Sequence, residues 1–229
     1  MRTNVLQVRE KIEKAARASG RNPNDITLIA VSKTRAIADI QRAIDCGILD
    51  FGENKVQELQ QKVPELPNVN WHMIGSLQTN KVKYIVDKIS LLHSLDRLSL
   101  AKEVDKRAKQ KNIIVKSLIQ VNVSGELSKH GLNPTEVLDF CDIISDYSNI
   151  KVLGLMTIAP QTNNPSEVRE VFRALRELRD SLFNKVPKSI SLKDLSMGMS
   201  GDYEQAIMEG ATYVRVGTKI FGDRIYKER

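Results

Sequence analysis

Cysteine is scarce: Cys46 and Cys141 are the only two in 229 residues. Both fall in stretches with helical apolar spacing and neither has a ligand-spaced neighbour. That excludes a disulfide scaffold and a cysteine-built metal site, and fits a reduced, cytoplasmic protein. The three histidines, His72, His93 and His130, lie in separate units of the chain without metal-site spacing. Aromatic residues make up 5% of the chain. No apolar run is long enough to span a bilayer, and the N-terminus lacks a signal-peptide core, so no membrane partner is expected. There is no Pro-, Gly- or Ser-rich linker, no low-complexity segment and no short repeat, so residues 1–229 read as a single domain. A block of one charge sign is missing too. Lys and Arg (35) outnumber Asp and Glu (28) for a net +7, but they interleave, as in Lys102-Glu103-Val104-Asp105-Lys106-Arg107. With no RNA-binding signature or basic tail, nucleic acid is not an expected partner.

What the chain does have is an alternation of short apolar strands with amphipathic helices. An N-terminal helix over residues 2–19 carries Val5, Val8, Ile12 and Ala15/Ala16 on one face. Strands are then expected at 28–34, 48–54, 70–75, 91–95, 114–123, 151–156, 190–196 and 212–217. Helices follow at 35–46, 55–62, 80–89, 98–111, after Asn133-Pro134, after Asn164-Pro165 and at 202–209. A polar loop, 124–131, follows the fifth strand. Eight βα units imply a parallel sheet closed into a single (β/α)8 TIM-type barrel, with an extra N-terminal helix and a truncated last helix.

In such barrels chemistry sits at the C-terminal strand ends, and phosphate is often held after strands seven and eight. Lys33 ends the first strand. Apolar surroundings there would disfavour its charged form and free an amine nucleophile; a lone lysine reads first as one that covers the strand end with its stem, and the rest of the chain changes that. The loops after strands seven and eight read Ser196-Met197-Gly198-Met199-Ser200-Gly201-Asp202 and Arg215-Val216-Gly217-Thr218. Their small residues and the Ser200 and Thr218 hydroxyls make an anion cradle, with plain N-capping as the alternative role. Gly201 stands where a better helix former would fit, which close approach to a ligand would explain. Asn54 ends the second strand and is placed either to meet a ligand or to cap the next helix. Arg215 is placed either at a ligand or in an ion pair with Glu53. His72, inside the third strand, reads as a satisfied interior histidine.

A strand-end lysine across the mouth from a phosphate cradle points to pyridoxal phosphate (PLP), which brings an aldehyde and a phosphate. Arg215 would then face the pyridine nitrogen. A guanidinium donates and keeps its charge, so it would hold that nitrogen unprotonated and weaken the ring as an electron sink.

Six segments carry a family resemblance: Ala30-Val31-Ser32-Lys33-Thr34, Phe51-Gly52-Glu53-Asn54-Lys55, Trp71-His72-Met73-Ile74-Gly75-Ser76-Leu77-Gln78-Thr79-Asn80-Lys81, Gly154-Leu155-Met156-Thr157, Leu195 to Asp202, and Val214-Arg215-Val216-Gly217-Thr218. Through them essentially the whole chain resembles the pyridoxal phosphate homeostasis proteins, which are similar to the barrel domain of alanine racemase (fold type III). The resemblance implies Lys33 as the Schiff-base lysine and Ser200, Gly201, Gly217 and Thr218 around the phosphate. It implies Arg215 at the pyridine nitrogen, Asn54 near the ring, and a role in vitamin B6 and amino-acid balance without an established reaction.

Racemization needs a base on each face of the substrate carbon, and in alanine racemase the second comes from another domain across a dimer. The chain ends soon after the eighth strand, so one cofactor face is expected to be open to water. The leading expectation is therefore a monomeric carrier of PLP, with PLP-dependent apoenzymes as receivers. A weak racemase using Lys33 and Tyr203 is the alternative. A cofactor-free phosphosugar barrel and a nucleic-acid binder stand behind both.

Overall fold

The computed structural model describes residues 1–223 except 127, 128, 161 and 163. Part of the expected polar loop, residues 127 and 128, lies outside the described residues. Eight parallel strands close into one barrel in sequence order: β1 (Thr27–Val31), β2 (Asp50–Glu53), β3 (Asn70–Met73), β4 (Leu91–Leu95), β5 (Val115–Gln120), β6 (Ile150–Met156), β7 (Asp194–Met199) and β8 (Tyr213–Val216). β8 closes on β1 with Ile29 opposite Arg215 and Ala30 opposite Val216. That closure puts the ends of the first and last strands side by side, although nearly the whole chain separates them.

The helices are α1 (Arg2–Ala18), α2 (Ile37–Ile44), α3 (Val56–Glu65), α4 (Leu98–Gln110), α5 (Val137–Ile144), α6 (Pro165–Leu182), α7 (Tyr203–Met208) and α8 (Thr218–Phe221). The longest, α6, shows why they form. Asn164 caps it by accepting the Ser166 N–H, Pro165 fixes its first turn, and Val168, Phe172, Leu175 and Leu182 bury one stripe. α8 is only four residues long. The space it leaves is covered by α1, which packs on α7 and α8 through Val5, Val8, Ile12, Ala15 and Ala16. Asn4 donates to the Ile220 carbonyl at 3.1 Å and ties α1 to α8. Among the described residues, no helix is long and apolar enough to cross a membrane.

Two expected elements differ. The segment expected as a helix over 80–89 is a 3-10 helix over Thr79–Tyr84. The seventh strand begins at Asp194 rather than Ile190 and runs through Met199. Pairing decides this. Gly154, Leu155 and Met156 of β6 stand opposite Asp194, Leu195 and Ser196, and Met199 stands opposite Arg215. Ile190 and Leu192 are buried, but as core plugs ahead of the strand. Ser196 to Met199 therefore belong to the barrel wall, and the loop begins at Ser200.

Candidate functional site

Lys33 is the second residue beyond β1, partly buried in a tight turn at the C-terminal end of the barrel. The next residue, Thr34, has φ +66°. A β-branched residue in the left-handed region is strained by about 1–3 kcal/mol and persists only where its surroundings hold it. Those surroundings are visible. The Thr34 N–H donates to Glu58 Oε2 at 2.6 Å. The Ser32 hydroxyl donates to Glu53 Oε1 at 2.7 Å. Lys62, 6% exposed on α3, donates to the Ser32 carbonyl (2.9 Å), Glu53 Oε1 (2.7 Å) and Glu58 Oε2 (2.8 Å). An ammonium has three N–H donors, so the two carboxylates and one carbonyl use them all. Burial pushes the Glu53 carboxyl up to about 7, against the pull of Lys62 and of the Ser32 hydroxyl. The residues flanking Lys33 are thus clamped from below.

Arg215 lies inside the barrel, 4% exposed. One guanidinium nitrogen donates to Ser196 Oγ and another to the Thr157 carbonyl at 2.9 Å. Burial lowers its pKa to about 10, with Asp202 pulling the other way, so it is a cation at neutral pH. The alternative pairing with Glu53 does not occur, because Glu53 belongs to Lys62. Behind Ser196 the polar chain continues into the core through His93 and His72. Both rings are buried, so His72 is the satisfied interior histidine expected. It and His93 meet at 3.0 Å, because β3 and β4 are neighbours in the barrel.

The loops after β7 and β8 come together. The Gly217 N–H donates to Ser200 Oγ at 3.0 Å. Neither Ser200 nor Thr218 caps a helix: α7 is entered from Asp202 and α8 from Gly217, without side-chain caps. Thr218 is exposed and Ser200 and Gly217 are half-buried. A Cβ at Gly201 would meet no protein atom within 4 Å, and its φ is not in the left-handed region, so nothing in the chain itself calls for glycine there. The Met199 N–H donates to Asp202 Oδ1 at the edge of this loop. A cavity of about 480 Å³ opens beside Met199, Gly201, Asp202 and Gln205.

Asn54 follows β2 and lines a second cavity of about 780 Å³ with Met73, Ser76, Gln78, Lys81 and His130. It does not cap α3, which starts from Lys55 without a side-chain cap. Gly75 packs so tightly against it that an added Cβ would lie 2.5 Å from the Asn54 carbonyl oxygen. Tyr203, the second base of the racemase alternative, is a core residue. It is fully buried at the start of α7, and burial pushes its phenol up to about 12. Among the described residues, no group of three or more His, Cys, Asp or Glu side chains could hold a metal.

The residues that periodicity did not single out are Lys62, His93 and Ser196. Lys62 sat on an expected helix of mixed charge, and only its burial separates it from its neighbours. His93 carried a legible signal: a histidine in the middle of a strand buried at every position.

Comparison with known proteins gives this geometry a context. Residues 4–225 match the family model described as "Alanine racemase, N-terminal domain". The pyridoxal phosphate homeostasis protein of Aquifex aeolicus is 48% identical, with 97% of each chain covered. PipY of Synechococcus elongatus, solved with PLP bound, superposes with a TM-score of 0.80 at 34% identity, covering 93% of this chain and all of the other. Alanine racemase of Clostridium difficile shares the fold at a TM-score of 0.72 and 12% identity, and 96% of this chain spans 60% of that one.

Proposed function

The chain belongs to the pyridoxal phosphate homeostasis protein family, and from that premise we propose that it binds PLP covalently through Lys33 and works as a carrier and regulator of the cofactor. When bound, PLP supplies an aldehyde that condenses with an amine and a ring that accepts electrons. The observation that carries the reading is the juxtaposition across the β8–β1 closure. The clamped Lys33 turn, the buried Arg215 cation and the Ser200–Gly217 loop pair share one rim. This donor set fits the group. Gly201 borders open space where a side chain would obstruct a ligand. Backbone N–H groups and hydroxyls of Ser200, Gly201, Gly217 and Thr218 would hold the phosphate. Arg215 would meet the ring nitrogen as a donor, and Asn54 would flank the ring.

The chain's own residues argue for holding rather than turnover. Arg215 cannot give up its proton at neutral pH, so it would keep the ring nitrogen unprotonated and restrain the ring. Tyr203 is fully buried and burial raises its phenol, which disfavours the phenolate that a second base would need. A carrier that delivers PLP to apoenzymes as a cytoplasmic monomer is the reading that follows. Proton exchange on the α-carbon of alanine or serine enantiomers tests it. The carrier reading predicts no exchange above background, and exchange abolished by Lys33→Ala would replace it with a weak racemase.

A further inference from the structure

A line of hydrogen bonds crosses the barrel interior from Arg215 to the opposite mouth. It runs from Arg215 on β8 to Ser196 on β7, to His93 on β4 (2.9 Å), to His72 on β3 (3.0 Å) and to Asp50 on β2 (3.1 Å). The four interior members are 0–4% exposed, and the Asp50 side chain, 25% exposed, reaches water at the N-terminal end. Tyr213 packs its ring against both imidazoles, with centroids 5.7 and 6.2 Å away. Asn70 donates to the same Asp50 oxygen at 3.1 Å.

Proton counting fixes the direction of this line. A guanidinium only donates, so Ser196 Oγ accepts from Arg215. The single hydroxyl proton of Ser196 is then directed at His93 Nδ1, which must be bare. His93 carries its proton on Nε2 and gives it to His72 Nδ1, also bare. His72 carries its proton on Nε2 and gives it to the Asp50 carboxylate. The opposite polarity would aim two donors at Ser196 Oγ and strand its own proton. A doubly protonated His72 would force the same conflict through His93. Burial, with His72 and Arg215 as neighbours, holds the His93 pKa well below its ordinary value, in keeping with a neutral ring.

We propose that Ser196, His93 and His72 are positioning residues that orient Arg215 and compensate its buried charge through a one-directional relay ending on Asp50. The aligned donors commit one edge of the guanidinium to the protein interior, while the Thr157 carbonyl takes a second N–H. The remaining N–H groups are then fixed in direction. The consequence for cofactor binding rests on the reading that Arg215 faces the ring nitrogen of PLP; the polarity of the relay does not.

The test has two arms. The first uses the full-length protein labelled with 15N-histidine, with and without PLP, followed by long-range 1H–15N correlation between pH 8 and 5.5. The assigned His93 and His72 resonances are both expected in the Nε2–H form, that of His93 constant throughout. A His93 or His72 ring in the Nδ1–H form, or a His93 that titrates near 6.5, overturns the relay. The second arm titrates PLP into Ser196→Ala and Ser196→Thr. Ser196→Ala is expected to weaken binding about tenfold and to shift the absorption maximum of bound PLP, and Ser196→Thr to restore both. Wild-type affinity and spectrum in Ser196→Ala overturn the positioning role. Wild-type protein that gives no PLP band refutes the cofactor reading instead, and the histidine spectra still decide the relay.

Discussion

Replacing Lys62 with methionine is the sharpest perturbation of the Lys33 turn that leaves Lys33 itself intact. Lys62 is the common partner of Glu53, Glu58 and the Ser32 carbonyl, and it is 6% exposed. Methionine fills the space and supplies no donor. Two carboxylates and a carbonyl then lose their shared cation, and Glu53, fully buried, already has one carboxylate oxygen without a partner. Removing one member of a buried ion pair costs roughly 3–5 kcal/mol. Glu58, partly exposed, recovers part of its share from water. A loss of about 3 kcal/mol in urea unfolding of the apo-protein is expected, with an unchanged m-value. The local effect follows from Thr34. Its positive φ is held through Glu58, so a displaced Glu58 lets the turn relax and Lys33 swing away. Recovering a turn that has relaxed by about 1–3 kcal/mol weakens PLP binding at least several-fold at a tenfold per 1.4 kcal/mol. Combining Glu53→Gln with Lys62→Met removes the stranded charge and should return more than 1 kcal/mol of the lost stability. A Lys62→Met protein within 0.5 kcal/mol of wild type, with unaltered PLP affinity, would refute the clamp.

Other outcomes follow from the same geometry. Gly154→Ala would set a Cβ 1.9 Å from the Asp194 carbonyl oxygen at the β6–β7 pair, and a fall in stability of about 3 kcal/mol or failure to fold is expected in thermal unfolding. Because the pKa of His93 is depressed in the folded state, its contribution is present above the unfolded value of about 6.5 and lost as pH falls below it; His93→Gln should flatten that part of the stability–pH curve measured by denaturant titration. Glu53 works in the opposite sense. Its contribution is full below about 4.5 and is lost as pH rises through about 7, so Glu53→Gln should compare more favourably with wild type at pH 8 than at pH 4.5. Ser200→Ala removes the acceptor of the Gly217 N–H and a hydroxyl proposed to hold the phosphate; PLP affinity measured by absorbance should drop about tenfold with little change in unfolding midpoint.

Much of the barrel was legible because its strands are short apolar runs punctuated by Gly, Pro and Asn, and because eight such units in order have one natural closure. Lys33 and Arg215 stood out for the same reason: charged residues at the ends of apolar strands. The seventh strand is displaced from its expected place because Ile190 and Leu192 look like strand residues, while Gly198, Ser200 and Gly201 look like loop. Pairing with β6 and β8 outweighs that local pattern. The helix expected after β3 fails as an α-helix because the pattern in 80–89 fixes one buried stripe but not the hydrogen-bond register. The Lys62 clamp and the connections along the histidine line were invisible for a different reason. Each depends on which side chains converge across neighbouring strands and helices, and no spacing along the chain encodes that. Tyr203 shows the converse: a chemically capable residue just after β7 whose side chain packing buries.

The central claim is tested most directly by the visible absorption of the purified protein with added PLP, before and after borohydride reduction, with peptide mass mapping of wild type and Lys33→Ala. The account predicts a band in the wild type that reduction fixes as a pyridoxyl group on the peptide containing Lys33, and neither band nor adduct at that position in Lys33→Ala. A wild-type protein that takes up no PLP, or that carries the reduced adduct on another lysine while Lys33 stays unmodified, would contradict it.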